Sequence, residues 1–102
     1  MDFKGKVILV TGASSGIGAA TALYLAKLGA SLTLTGRNVA NLNKVADECC
    51  QASGCQPFVV AGDVNSEADV QNVMDSTIKH YGKLDVLINN AGIIEMGSIE
   101  ET

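Results

Sequence analysis

Tryptophan is absent from this 102-residue sequence, proline and histidine occur once each, and aromatic side chains make up only 4% of it. A single proline excludes a proline-rich linker, and the eleven glycines point instead to tight turns between regular elements. Basic residues are scarce too: seven Lys+Arg against eleven Asp+Glu give a net charge of −4. They are scattered, so no basic stripe is available for nucleic acid or for an anionic membrane. The three cysteines, Cys49, Cys50 and Cys55, form no CxxC pair. That pattern excludes a disulfide framework or a zinc site and predicts a reducing compartment. Long apolar runs are missing as well. The run Val7–Val10 spans four residues, Asp2 stands where a signal peptide is basic, and a myristoylated chain would need glycine at that position. The expectation is a cytoplasmic chain without a membrane span. At 47% apolar and 18% charged, with mean hydropathy +0.25, the composition excludes disorder and fits one domain over residues 1–102.

What is present is a strict alternation of strand and helix signals. Val7–Val10 is a continuous β-branched and aliphatic run, as in a strand buried on both faces. Ile17, Ala20, Thr21, Tyr24, Leu25 and Leu28 then recur at helical spacing and predict the buried face of a helix that Gly29 ends. Ser31–Thr35 alternates like a second strand. Val39, Leu42, Val45, Ala46 and Cys49 form the stripe of a second helix, with Asn38 as its N-cap and Gly54 beyond its end. Phe58–Ala61 is the third strand. Ser66 with Asp69 signals the start of a third helix carrying Val70, Val73, Met74, Thr77, Ile78 and Tyr81, which Gly82 closes. Leu84–Ile88 is the fourth strand. Such a βαβαβαβ series predicts an α/β fold with a parallel sheet, right-handed crossovers and helices on both faces.

The chemistry concentrates in Thr11-Gly12-Ala13-Ser14-Ser15-Gly16-Ile17-Gly18, between the first strand and the first helix. Glycines there let backbone N–H groups and the positive end of a helix approach a pyrophosphate. No Lys-Ser/Thr pair follows them, which excludes a P-loop. This motif, together with Asp63-Val64 after the third strand and Asn89-Asn90-Ala91-Gly92 after the fourth, resembles the short-chain dehydrogenase/reductase family. The resemblance runs from Lys6 to Thr102. It implies a Rossmann-like three-layer α/β/α domain with strand order 3-2-1-4, here with its first four strands and three helices and incomplete on its C-terminal side. It further implies that Gly12, Ser14, Ser15, Gly16, Ile17 and Gly18 line the pyrophosphate and its ribose. By the same resemblance, Asp63 bonds the adenine amino group with Val64 beside it. Asn90, Ala91 and Gly92 would lie against the adenosine ribose and the middle of the cofactor. Thr11 would tie the first strand to the Asn89–Gly92 segment.

Cofactor choice is read at the end of the second strand, where an NAD enzyme carries an acid. Here Gly36 and Arg37 occupy that place. The glycine leaves room for a 2′-phosphate and the guanidinium can pair with it, so NADP is expected over NAD. The family's catalytic Ser and Tyr-x-x-x-Lys lie beyond the fourth strand. Leu28 follows Tyr24 by four residues and Asp85 follows Tyr81, so no catalytic residue is assigned within this chain. His80, near the end of the third helix, is read as a structural residue. The expected function is that of an NADP-dependent alcohol/ketone oxidoreductase, present as its cofactor-binding half and inactive alone. A carbonyl or alcohol substrate and a homo-oligomeric state belong to a longer form. The alternatives are a non-catalytic nucleotide-binding module and a non-functional truncated product, whose fourth strand would leave an apolar edge unpaired and the domain marginally stable. A methyltransferase reading fails on the Asn89–Gly92 motif and on the missing acid at Gly36.

Overall fold

The computed structural model describes residues 3–14, 16–63 and 65–89. Strands and helices alternate as β1 (Val7–Thr11), α1 (Gly16–Lys27), β2 (Ser31–Gly36), α2 (Val39–Ser53), β3 (Phe58–Ala61), α3 (Glu67–Tyr81) and β4 (Val86–Asn89). All pairings are parallel and the strand order is β3-β2-β1-β4, as the alternating pattern and the family resemblance predict. β1 is one of the two inner strands, with Val10 opposite Leu34 on one side and Ile88 on the other. Among the described residues, β4 is paired along one edge only.

The period of two along each strand divides the core between two faces. Ile8, Val10, Leu32 and Leu34 meet α1 and α2 in one apolar cluster with Ala22, Leu25, Leu42, Val45 and Cys49. Val86 and Ile88 of β4 pack against the same cluster. The alternate residues, Leu9, Thr33 and Thr35, face α3. That layer is more polar: the Thr77 hydroxyl donates to the Val73 carbonyl at 2.8 Å and lies 3.0 Å from the hydroxyl of Thr33.

One buried polar atom in that layer is unpaired. Thr35 is 2% exposed, and its hydroxyl has no partner among the described residues. A buried hydroxyl that makes no bond costs its desolvation, and an apolar side chain of the same shape does not. Thr35→Val is therefore expected to raise stability by up to about 1 kcal/mol. A urea midpoint lower than that of the unsubstituted chain would contradict this.

Helix ends follow local chemistry. Asn38 caps α2 by accepting the Asn41 N–H at 3.0 Å, and Ser66 caps α3 by accepting the Asp69 N–H at 3.3 Å. Gly54 and Gly82 close those helices in the left-handed conformation. α1 departs from expectation. Its buried residues are Gly18, Ala22, Leu25 and Ala26, whereas Ile17 and Tyr24 are 77% and 62% exposed. Leu25 of the expected stripe is buried, but close approach at Gly18 leaves the rest of the buried face to small residues, and Ile17 and Tyr24 are turned outward. In α2 and α3 one member of each expected stripe, Val39 and Ile78, is likewise exposed.

β4 also begins later than the sequence predicts, at Val86 and not at Leu84. Asp85 is used as a clasp: its N–H donates to the Val7 carbonyl at 2.9 Å, and its carboxylate accepts the Val7 N–H at 2.8 Å. Lys83 Nζ stands 3.3 Å from the same carboxylate. The Val7 N–H, aided by Lys83, holds the Asp85 carboxyl below its ordinary value of 3.8 against the opposing effect of burial. A depressed carboxylate supplies stability that is present above that ordinary value and is lost as pH falls through the lowered one. Asp85→Asn should cost about 1 kcal/mol at neutral pH and flatten the acid limb of stability below about pH 4. An acid limb identical to that of the unsubstituted chain in pH-dependent urea unfolding would refute the clasp.

Among the described residues no helix is long and apolar enough to cross a membrane.

Candidate functional site

In a parallel sheet every strand ends at the same edge, and ligands bind in the crevice outside those carboxyl ends. Here the edge opens into a cleft of about 350 Å³. Gly12 and Ser14 enter it after β1, Gly36, Arg37 and Asn38 after β2, and Gly62, Asp63 and Asn65 after β3. Three segments spread over fifty residues of sequence thus meet at one site.

The glycine turn is built by close approach. A Cβ on Gly18 would lie 1.9 Å from the carbonyl oxygen of Gly12 and 3.1 Å from the Cα of Ala13, all backbone atoms. Gly12 and Gly16 take positive φ, 60° and 55°. The Ala13 N–H donates to the Thr35 carbonyl at 3.1 Å, which fixes the turn to the end of β2. α1 therefore starts two residues after Ser14 of the cleft lining, and α2 starts directly after Asn38, its N-cap and a cleft residue.

The charges are sorted along the cleft. Neither α1 nor α2 has an acid in its first turn, whereas α3 has Glu67 and Asp69. Arg37 is exposed and has no carboxylate partner among the described residues. Both helix ends and the guanidinium favour an anion on the β1–β2 side. On the β3 side the Asp63 carboxylate offers an acceptor. Gly36 lies between them, buried, and a Cβ there would meet the Ser14 hydroxyl oxygen at 3.3 Å and Leu42 Cδ2 at 3.5 Å. The cleft is thus widened where an acid would otherwise project.

Thr11 lies beneath the glycine turn. Its hydroxyl donates to Asn89 Oδ1 at 2.9 Å, joining the ends of β1 and β4. The two tyrosines are away from this edge: Tyr24 is exposed on α1, and the Tyr81 hydroxyl donates to the Leu32 carbonyl near the start of β2. Burial raises the Tyr81 phenol above its ordinary value. His80 stacks on Phe58 with ring centroids 4.1 Å apart. Burial also pushes the Cys49 thiol up to about 11, in keeping with a small apolar core residue. Among the described residues no group of His, Cys, Asp or Glu is arranged to hold a metal ion.

Of the residues singled out from the sequence, Gly12, Ser14, Arg37 and Asp63 meet in the cleft. Thr11 ends β1, Gly16 and Gly18 form the turn into α1, and Ile17 is exposed at the start of that helix. Ser15, Val64, Asn90, Ala91 and Gly92 lie outside the described residues. Asn38, Gly62 and Asn65 are cleft residues that the motifs do not mark. Their signal in the sequence is position alone: each falls within four residues of a strand's carboxyl end.

The family model for short chain dehydrogenase matches residues 6–102. This chain belongs to the short-chain dehydrogenase family. It is 42% identical over 100 residues to 11-beta-hydroxysteroid dehydrogenase A of Sesamum indicum, a match covering 98% of this chain and 29% of that protein. It is 47% identical over 92 residues to 11-beta-hydroxysteroid dehydrogenase-like 2 of Arabidopsis thaliana, covering 90% of this chain and 30% of the relative. Among solved structures, L-sorbose reductase of Gluconobacter frateurii, complexed with NADPH and L-sorbose, superposes with a TM-score of 0.84 at 39% identity. That match covers 93% of this chain and 36% of the reductase. The chain spans about a third of the length of the curated relatives it matches.

Proposed function

We propose that residues 1–102 are the cofactor-binding part of an NADP-dependent short-chain dehydrogenase that interconverts a secondary alcohol and a ketone. The supporting observation is the pairing of Gly36 with Arg37 in the cleft that also holds Ser14, Asn38 and Asp63. In this reading the glycine turn and the N-terminus of α1 receive the pyrophosphate. Arg37 pairs with the 2′-phosphate, with the Ser14 hydroxyl and the Asn38 amide beside it, and Asp63 accepts the adenine amino group. Val64 and Asn90–Gly92, which lie outside the described residues, would by the family resemblance meet the adenine, the ribose and the middle of the cofactor. The bound nicotinamide supplies or accepts hydride. The residues of this chain bind and orient it. They include no Tyr-x-x-x-Lys, so turnover requires residues that are not among these 102.

The relatives named as hydroxysteroid dehydrogenases and the sorbose reductase solved with NADPH support the alcohol/ketone class and the choice of NADP. A cytoplasmic setting and a homo-oligomeric longer form belong to the same reading. Calorimetric titration of the 102-residue chain with NADPH and with NADH is the direct measurement. An arginine–phosphate pair contributes about 1.5–3 kcal/mol, so NADPH should bind about 10- to 100-fold more tightly. Equal affinities would overturn the NADP assignment. Absence of binding by either would overturn the cofactor role of this chain.

A further inference from the structure

Asp69 is the third residue of α3, three positions after its N-cap Ser66. An acid at that position ordinarily reaches back to the N-cap N–H and completes a reciprocal pair. Here the Ser66 N–H is already bonded to the Asp63 carbonyl at 2.9 Å, and the Asp69 carboxylate reaches three residues further back, accepting the Asp63 N–H at 2.9 Å. The Asp63 carboxylate in turn accepts the Asn65 N–H at 2.9 Å through Oδ1. Asp63 is thereby held at its N–H, its carbonyl and one carboxylate oxygen. Its other oxygen has no partner among the described residues, and Asp63 lines the cleft.

We propose that Asp69 is a positioning residue for adenine recognition. It fixes the Asp63 backbone so that the unpaired carboxylate oxygen of Asp63 is aimed at the adenine amino group. The inference rests on the reading of Asp63 as the adenine contact. Two features make the role specific. Asp69 is half-buried, so its bond to the Asp63 N–H is shielded from water. The bond also crosses from the helix to the strand-end loop, so it sets where the loop stands relative to α3. Ser66 caps the same helix without touching the Asp63 N–H, and it therefore separates helix stability from loop position.

The experiment compares calorimetric binding of NADP+ with that of its hypoxanthine analogue, in which a carbonyl replaces the adenine amino group. The chain should prefer NADP+ about tenfold, as for a hydrogen bond to a charged acceptor. Asp69→Ala should reduce the preference to about twofold or less. Asp69→Asn keeps a neutral acceptor and should fall between the two. Ser66→Ala weakens the α3 cap but should retain the full preference. A preference retained in Asp69→Ala overturns the positioning role alone. If Asp69→Ala does not fold, Asp69→Asn decides, and an unchanged preference there overturns it. A preference lost equally in Ser66→Ala assigns the effect to helix stability and also overturns it. Equal binding of the two nucleotides by the unsubstituted chain, or binding of neither, overturns the Asp63 reading and this inference with it.

Discussion

Gly18→Ala should cost about 3 kcal/mol or more and abolish detectable nucleotide binding. The added methyl would have to occupy a position 1.9 Å from the Gly12 carbonyl oxygen, and the nearest atoms belong to backbone that no rotamer change can move. Overpacking typically costs 1–3 kcal/mol when side chains can give way, and here they cannot. Either α1 lifts from β1 or the turn opens, and both changes displace Gly12 and Ser14 of the cleft lining. For a domain whose total stability is of order 5–15 kcal/mol, the loss is severe. Gly16 provides the control. A Cβ there meets nothing within 4 Å, and only its φ of 55° opposes substitution. Gly16→Ala should therefore cost about 1–2 kcal/mol, the strain of a left-handed residue. Urea unfolding of both variants tests the argument, and equal midpoints would defeat it.

Gly36→Asp should reverse the cofactor preference. The built Cβ stands 3.3 Å from the Ser14 hydroxyl oxygen, a side-chain atom that can rotate away, so the substitution is accommodated at small cost to the fold. Its carboxylate would enter the cleft next to Arg37. It would pair with the guanidinium, repel a 2′-phosphate and offer an acceptor to unphosphorylated ribose hydroxyls. Like charges brought together in a binding site cost several kcal/mol, so NADPH affinity should fall by about 100-fold or more while NADH affinity holds or rises. An NADPH:NADH ratio unchanged by the substitution would remove Gly36 and Arg37 from cofactor selection.

Much of this arrangement is legible before any coordinates. The parallel alternation, the helix caps at Asn38 and Ser66 and the glycine closures at Gly54 and Gly82 follow from local chemistry, the strand order follows from the family resemblance, and the structure has them all. The burial face of α1 does not. Hydrophobic periodicity finds Leu25 but also selects Ile17 and Tyr24, which are exposed, and misses Gly18, Ala22 and Ala26, which close approach to the sheet selects. Periodicity measures side-chain apolarity and is blind to the clearance beneath the helix. The start of β4 is displaced for a related reason, because Asp85 gives its polar groups to the end of β1. In the cleft, Arg37 and Asp63 are marked by motif and spacing, whereas Asn38 and Asn65 become cleft residues only when three strands end together. Asp69 is legible as part of a capping signal. Its bond to Asp63 is not, since it depends on which N–H the Ser66 turn leaves unpaired.

The clasp between Val7 and Asp85 also orders the assembly of the sheet. It joins residues 78 apart in the chain, while β1 meets β2 across only 24, as in the Val7–Ser31 pair. Closing the longer loop costs more entropy and contributes nothing until β4 has been synthesised. The β1–α1–β2 unit therefore forms first, and β1 waits with one apolar edge unpaired until the last of the four strands reaches it. During that interval the run Val7–Val10 keeps an edge open to pairing with another molecule. An inner strand of the four-stranded sheet is, until β4 arrives, an edge.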